Sequence, residues 1–277
     1  MDLELSGTFV NNNRKLFELC LSLRKAALEP SGSTAAVLAP GQKEIERELI
    51  WRKTLQAFSA KADRTFCAVL ILCAEGFTED AAMLARSLVE LDVSLRYVSV
   101  DPQARVMEMI YEADREYKVE LQAMAKIRGP DQELKQAIEE GEKRLIELER
   151  ESGIEADRWK KKTLWQKMKD TSLEDHYFVF RKFSGLIHPN PNELMPYIRS
   201  PEINNQPFEV DSAPRGENLD KVLVSAAAYF ADVLLIMKET AGLDTSELIG
   251  AHARLKEHFE RAAESTARQR KAAIDND

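Results

Sequence analysis

Residues 78–98 read TEDAAMLARSLVELDVSLRYV and contain a long, strongly apolar helical segment of the chain. Thr78 is a good helix-capping residue, and the two acids after it stand in the first turn, where the helix dipole favours negative charge. Apolar residues then recur at helical spacing, and the segment ends before Pro102. We therefore predict a central, largely buried helix from Ala81 to Val98.

The composition of the whole chain also favours helices. Of 277 residues, 11 are Gly and 10 are Pro, whereas Ala, Leu, Glu, Lys and Arg are abundant. No segment has the alternating pattern that would predict a strand, and no internal repeat is found. The predicted fold class is all-α. Further helices are predicted at 9–27, 43–58, 64–75, 159–168, 172–188, 221–240 and 245–263.

Two long segments, 103–127 and 131–151, have narrow apolar stripes between charged flanks and are separated by Gly129 and Pro130. This pattern is typical of an antiparallel helical hairpin, which we expect to project from the body of the protein. Residues 189–216 contain six prolines and predict a loop. The predicted organisation is an N-terminal helix and linker (1–41), a single helical domain (42–265) and a polar tail (266–277).

Several features indicate the environment of the chain. Its longest apolar run, 66–76, is shorter than the ~20 residues that a membrane-spanning helix needs. The N-terminus is acidic where a signal peptide would be basic, so we expect a cytoplasmic protein. Cys20, Cys67 and Cys73 lie among apolar residues and are interpreted as reduced, buried thiols. The net charge of -8 argues against a general nucleic-acid coat protein.

A second stretch, DHYFVFRKFSGLIHPNP at residues 175–191, carries the main candidate site. Arg181 and His188 are about two helical turns apart and lie on nearly one face. Histidine can exchange a proton at neutral pH, and the forked arginine cation suits a phosphate. Together they suffice for RNA cleavage in which the 2′-hydroxyl attacks the adjacent phosphate. The alternative is structural: His188 caps its helix, and Arg181 pairs with Glu174 or Asp175.

A second constellation lies in the central helix. Arg86 and Glu90 are four residues apart in the most apolar segment of the chain. Because burying a charge is costly unless it is paired, we expect the two side chains to satisfy each other or to reach a polar pocket. A structural ion pair and a supporting role in the same site as Arg181 are both open.

The third constellation is a basic run interleaved with Trp159 and Trp165. It can bind a nucleic-acid backbone, with an aromatic ring stacking on a base. The alternative is a solvated helix face with the tryptophans packed in the core. We expect this core position for the two tryptophans, whereas both interpretations are open for the lysines. The run comprises Arg158, Lys160, Lys161, Lys162, Lys167 and Lys169.

Metal and cofactor sites are not expected. His188 has no second His or Cys at ligand spacing. The chain also lacks a glycine-rich phosphate loop. The remaining histidines, at 176, 252 and 258, carry no comparable pattern.

The spacing of Arg181 and His188 resembles the Arg-x4-6-His signature of the HEPN superfamily. The helix around Arg86 and Glu90, followed much later by Ser-Gly-Leu-Ile-His-Pro at 184–189, is similar to an uncharacterised bacterial family allied to HEPN proteins. The similarity covers about residues 60–240. HEPN proteins are all-helical, are usually dimeric, and in many cases are metal-independent ribonucleases of toxin–antitoxin and phage-defence systems.

The resemblance implies an HEPN-like helical bundle that cleaves RNA at a homodimer interface, with Arg181 and His188 as catalytic residues. It also implies that Arg86, Glu90, Ser184 and Tyr177 are polar support for that site. An antitoxin or another defence protein is a possible partner. The alternative function is a non-catalytic helical interaction or scaffold protein. The acidic net charge favours that alternative, as does Lys182, which stands where active members often have a neutral or acidic polar residue.

Overall fold

The fold is all-α, as the sequence predicts, and its description comes from a computed structural model. The residues described are 5–28, 42–129, 131–156, 159–185, 198–199, 209–210 and 213–274. Ten α-helices are described here: α1 (Thr8–Asn12), α2 (Arg14–Leu28), α3 (Gln42–Ala74), α4 (Thr78–Val100), α5 (Pro102–Arg128), α6 (Gln132–Ser152), α7 (Leu164–Asp170), α8 (Tyr177–Gly185), α9 (Leu219–Thr240) and α10 (Ser246–Ile274).

A pair of short strands interrupts the helical order. β1 (Ile198–Arg199) and β2 (Glu209–Val210) are antiparallel, and Ile198 is opposite Val210. The sequence did not predict strands here, because two residues per strand are too few to form an alternating pattern. Most of the predicted loop at 189–216 lies outside the described residues.

The chain forms two compact units. The first unit consists of Met1–Val37, Gln56–Leu95 and Leu173–Asp277, and the second of Leu38–Leu55 and Arg96–Ser172. The predicted domain limits at 41/42 and 265/266 stay predictions. Residues 29–41 of the predicted linker are outside the described part, and α10 continues past the second limit to Ile274.

The core of the first unit is made by α2, α3, α4, α9 and α10. The rings of Phe66 and Phe230 are stacked at the centre, with centroids 4.6 Å apart, and both are fully buried. Arg24 of α2 makes two hydrogen bonds to Asp63 of α3, at 2.6 and 3.0 Å. The ammonium of Lys238, a buried residue of α9, donates to the carbonyl oxygen of Ala26 at 3.0 Å. These polar contacts hold α2 against the apolar core.

The second unit contains the predicted antiparallel hairpin, formed by α5 and α6. Its direction follows from cross-helix contacts whose residue numbers rise along α5 and fall along α6. The pairs are Tyr111 with Glu149 at 2.9 Å, Asp114 with Arg144 at 2.7 Å and Lys118 with Glu142 at 2.9 Å. Asp131 caps α6 by accepting from the backbone N–H of Leu134 at 2.8 Å. Capping and cross-helix pairing together explain why this charged segment folds back on itself.

The structure has one long helix where the sequence predicted two shorter ones. The sequence predicted a break between residues 58 and 64, but α3 runs without interruption from Gln42 to Ala74. The residues of the expected break, Ser-Ala-Lys-Ala-Asp at 59–63, include neither Gly nor Pro and can continue a helix. The side chain of Asp63 is held by Arg24, which supports the helix at that point.

Two other predicted helices are shorter or divided in the structure. The helix predicted from residue 159 begins at Leu164, because Thr163 and Gln166 form a reciprocal capping box. The single N-terminal helix predicted at 9–27 is divided into α1 and α2 at Asn13, whose side-chain amide donates to the carbonyl of Phe9 at 3.0 Å. In both cases a side chain satisfies backbone groups that a longer helix would have used.

Candidate functional site

The main candidate site is carried by α8, which follows a 3-10 turn at Glu174–His176. Phe183 is buried and anchors the helix, whereas Arg181 is exposed to solvent. Within the described residues, Arg181 makes no ion pair with Glu174 or Asp175, so that part of the structural alternative is not observed. The predicted partner, His188, lies outside the described residues. The pairing of Arg181 with His188 therefore stays a prediction.

Two other predicted residues of α8 have local roles. The hydroxyl of Ser184 donates to the carbonyl oxygen of Phe180 one turn earlier, at 2.7 Å. The ring of Tyr177 stacks on Phe180 with centroids 6.0 Å apart. Ser184 therefore uses its hydroxyl proton within its own helix, and Tyr177 helps to hold Phe180 in place.

The structure brings Arg86 and Glu90 of α4 next to α8. Nε of Arg86 lies 3.1 Å from Oε1 of Glu90, so the two side chains pair with each other, which is one of the two arrangements expected from the sequence. The side chains are 25% and 44% exposed, so the pair is less buried than the apolar sequence around it indicated. The guanidinium of Arg86 also lies over the ring of Phe180, 4.6 Å from its centroid. Arg86 thus supports the helix that carries Arg181 without contacting Arg181 itself.

Two lysines of the basic run form ion pairs with acids of the second unit. Nζ of Lys161 lies 2.7 Å from Glu112 and also contacts Glu116, and these hydrogen bonds raise the pKa of Lys161. Lys162 lies 2.6 Å from Asp170, and its hydrogen bond lowers the pKa of that carboxyl. These contacts favour the solvated-face interpretation for both lysines.

The other members of the run have weaker contacts. Lys167 lies 5.8 Å from the centroid of the Tyr97 ring, and Lys169 lies 5.6 Å from that of Trp165. Lys160 borders a cleft of about 690 Å³ that also includes Trp159 and three glutamates of α5. Arg158 is outside the described residues. The nucleic-acid role predicted for these residues is not tested by this arrangement and stays a prediction.

The two tryptophans differ from each other. Trp159 packs edge-on against Tyr111, with ring centroids 5.2 Å apart, and extends the hairpin core of Leu145 and Leu148. Trp165 is 37% exposed, so the prediction of a core position is wrong for this residue. Its helix, α7, is short and its Met168 is the fully buried residue instead.

A groove of about 620 Å³ that the sequence did not predict lies beside α8. Its walls come from α8, from the first turns of α4 and α9, from Phe259 of α10, and from the segment at 213–217. Phe178 lines the groove and is 74% exposed. Three acids and three cations also line it, and they come from separate parts of the sequence: Glu79, Asp80, Lys182, Arg215, Glu217 and Lys221. No sequence spacing could have joined them, because three helices and a turn converge there.

Two buried polar groups of the first unit were also not selected from the sequence. Nδ1 of His176 is buried without a hydrogen-bond partner among the described residues, and the ring meets Tyr229 edge-on at 5.5 Å. Asp92 of α4 is fully buried. An acid inside a strongly apolar helix is the sequence signal that could have identified Asp92.

In the described part of the chain, no group of three or more His, Cys, Asp or Glu side chains is placed to hold a metal ion. Among the helices described, none combines the length and the apolar character needed to cross a membrane.

Comparison with known proteins gives a family without an assigned activity. No curated protein and no solved structure matches the chain. Residues 54–206 match DUF5677, which is described as a family of unknown function. The matched region contains the Arg86–Glu90 pair, the basic run and α8. Since it covers more than half of the chain, the protein belongs to the DUF5677 family.

Proposed function

We propose that the protein is a metal-independent, HEPN-type endoribonuclease. The observation that carries the proposal is the exposed guanidinium of Arg181, which has no acidic partner in the described part of the chain although two acids precede it closely. An unpaired arginine at the surface of a well-anchored helix can bind a phosphate through two parallel hydrogen bonds. The resemblance of its spacing to the HEPN signature adds His188 as the group that transfers protons.

In the proposed reaction, His188 removes the proton of a ribose 2′-hydroxyl, and the 2′-oxygen attacks the adjacent phosphorus. The bond from phosphorus to the 5′-oxygen breaks, and that oxygen receives a proton from the imidazolium. The products are a 2′,3′-cyclic phosphate and a 5′-hydroxyl end, so the reaction consumes no water. Arg181 stabilises the charge that develops on the phosphate oxygens. We further propose a homodimeric bundle, in which two copies of the site meet, and a role as a toxin or phage-defence effector.

The test is cleavage of a labelled single-stranded RNA in the presence of a metal chelator, with analysis of the product ends. His188→Ala and Arg181→Ala are each expected to lower the rate by about 100-fold or more, the range of general acid–base and electrostatic catalysis. Matched controls are His258→Ala on α10 and Arg52→Ala on α3, and both should cleave like the unmodified protein. Undiminished cleavage in both site variants contradicts the proposal, as do products with 3′-hydroxyl ends.

A second candidate function is a non-catalytic interaction module. It is favoured by large apolar side chains that the α5–α6 hairpin leaves exposed, since such side chains commonly mark contact surfaces. Ile127 is 83% exposed, and Ile146 is 64% exposed. The others on α5 are Tyr117, Val119 and Met124.

The two candidates are distinguished by one purification experiment. The protein is isolated from its native host and its associated proteins are identified, with the double variant Ile127→Ser/Ile146→Ser as a control. A stoichiometric partner that the double variant loses, from a protein that cleaves no RNA, supports the interaction module. Metal-independent cleavage by the isolated protein supports the ribonuclease instead.

A further inference from the structure

The groove beside α8 has the size and position of a ligand subsite. Its volume of about 620 Å³ lies within the ~300–1,000 Å³ typical of sites for small molecules or for single units of a larger ligand. Lys182, one of its lining residues, directly follows Arg181 along α8. Because consecutive side chains of an α-helix point about 100° apart, the groove lies on the face of α8 that neighbours the one carrying Arg181.

The groove presents aromatic surface to solvent. Phe178 is 74% exposed, and Phe77, which also lines the groove, is 42% exposed. Leaving a phenylalanine this open forgoes most of the free energy that its burial would contribute, ~1.5–3 kcal/mol. On α8, Phe178 precedes Lys182 by one helical turn, so both side chains lie on the same face.

The groove also contains two lysines whose ammonium groups are available to an anionic ligand. Neither Lys182 nor Lys221 forms an ion pair among the described residues. Lys221 stands in the first turn of α9, where the helix dipole disfavours a cation. Its ammonium donates to the side-chain oxygen of Asn218 at 2.8 Å, which orients the lysine but leaves its charge unbalanced.

Carboxylates complete the lining. Asp80 and Glu217 border the same groove, and neither is in an ion pair within the described part of the chain. Glu79 and Arg215 line the groove as well, so its charged lining consists of three acids and three cations. The groove thus offers an aromatic face, cations and hydrogen-bond acceptors. A fatty acid would use the apolar surface and the cations but would leave the carboxylates without donors. A basic peptide would use the carboxylates and leave the lysines unpaired.

A nucleotide is the ligand class that uses all three features. Its base has a π-face for stacking and N–H groups for carboxylates, and its phosphate suits lysines. We propose that the groove binds one nucleotide of a single-stranded RNA, the one that flanks the phosphate held by Arg181. In this arrangement the base stacks on Phe178, Lys182 and Lys221 contact the backbone phosphates, and Asp80 or Glu217 accepts from the base edge. This inference rests on the proposed ribonuclease function for its choice of RNA.

The test measures binding separately from cleavage. The probe is a fluorescently labelled, ten-nucleotide single-stranded RNA in which every 2′-hydroxyl is methylated, so that the attacking oxygen is blocked. Its affinity for the full-length protein is measured by fluorescence anisotropy over a series of salt concentrations. The variants are Phe178→Ala, Lys182→Met and Lys221→Met, all at exposed positions where folding should be retained. Their matched controls are Tyr117→Ala, an exposed aromatic of α5, and Lys256→Met, an exposed lysine of α10.

Phe178→Ala is expected to weaken binding by about 10-fold, since stacking contributes ~1–3 kcal/mol per base. Each lysine variant should reduce the slope of log K against log salt by about 0.7, the value for one phosphate contact to a single strand. The two controls should bind like the unmodified protein. Adenosine monophosphate should compete weakly, because it has no second phosphate along a backbone.

Three results would overturn the inference: no binding of the probe at low salt, unchanged binding in the three groove variants, or mononucleotide binding as tight as that of the oligonucleotide. The ribonuclease proposal and the subsite proposal can fail separately. Groove-dependent binding without cleavage supports the subsite and contradicts the ribonuclease. Cleavage that depends on Arg181 and His188 but not on Phe178 or Lys221 supports the ribonuclease and contradicts the subsite.

Discussion

Replacing either Arg86 or Phe180 should loosen the attachment of α8 to α4, and the two effects should not be additive. The guanidinium of Arg86 lies 4.6 Å from the centroid of the Phe180 ring, and its side chain is 25% exposed. Cation–π contacts contribute ~0.5–1 kcal/mol at exposed positions and ~2 kcal/mol or more when desolvated. For this partly buried pair we expect a coupling free energy of about 1 kcal/mol.

The assay is a double-mutant cycle of Arg86→Gln and Phe180→Leu, followed by urea denaturation. Arg86→Gln also breaks the ion pair with Glu90, but that loss occurs with either residue at position 180 and cancels from the cycle. The control cycle combines Arg86→Gln with Phe178→Leu, because the ring of Phe178 is 74% exposed. The control effects should add to within ~0.5 kcal/mol.

A coupling free energy between Arg86 and Phe180 no larger than that of the control cycle would refute this reasoning. Arg86 would then be held by Glu90 alone, and α8 would owe its position to Phe183 and its other buried contacts. If the coupling is present, the same Arg86→Gln variant should also lower RNA cleavage, because the helix carrying Arg181 becomes less rigidly placed.

Three further outcomes are expected. Phe66→Ala should lower the free energy of unfolding, measured by chemical denaturation, by ~3–5 kcal/mol, because its fully buried ring stacks on Phe230. The control Leu49→Ala, at a half-exposed position, should change it by less than ~1 kcal/mol. Lys161→Met should leave the salt dependence of RNA binding unchanged in the anisotropy assay, since Glu112 and Glu116 already balance its charge; a slope reduced as much as in Lys182→Met would contradict this. Burial raises the pKa of the Cys73 thiol to about 12, so this thiol stays protonated at pH 8 and should not react with a disulfide reagent in the folded protein. Cys20 is buried as well, whereas Cys67 is only partly buried, contrary to the prediction from the sequence. Rapid titration of two or more of the three thiols before denaturation would therefore show that the reasoning about burial is wrong.

Most of the secondary structure could be predicted from the sequence because its signals are local. The hairpin of α5 and α6 follows from apolar stripes and from Gly129 and Pro130 between them. The helix at 81–98 follows from its cap and its apolar periodicity, and the structure adds three residues at its start and two at its end. The errors at α3 and α7 have a common origin. Whether a helix continues or stops depends on which groups form hydrogen bonds with its backbone and its polar side chains. At Asp63 that hydrogen-bond partner is Arg24, which comes from another helix.

The candidate site was predictable to a smaller extent. The sequence indicated Arg181 as a candidate, and it predicted the ion pair of Arg86 with Glu90, because that pair spans one helical turn. It could not indicate that Lys161 is balanced by Glu112 and Glu116, since these residues are more than forty positions apart. Nor could it place Arg86 over Phe180, for the same reason.

The fold class, the hairpin and the residue types available for chemistry could be predicted from the sequence, because helical periodicity and capping act over a few residues. Which charges are balanced and which side chains share a groove could be seen only in the folded protein. Ion pairing and burial depend on distances between helices, and these follow from packing rather than from spacing along the chain. Packing places Phe178, Lys182 and Lys221 in one groove, where they form a candidate subsite. In the most basic segment, packing instead pairs Lys161 and Lys162 with acids.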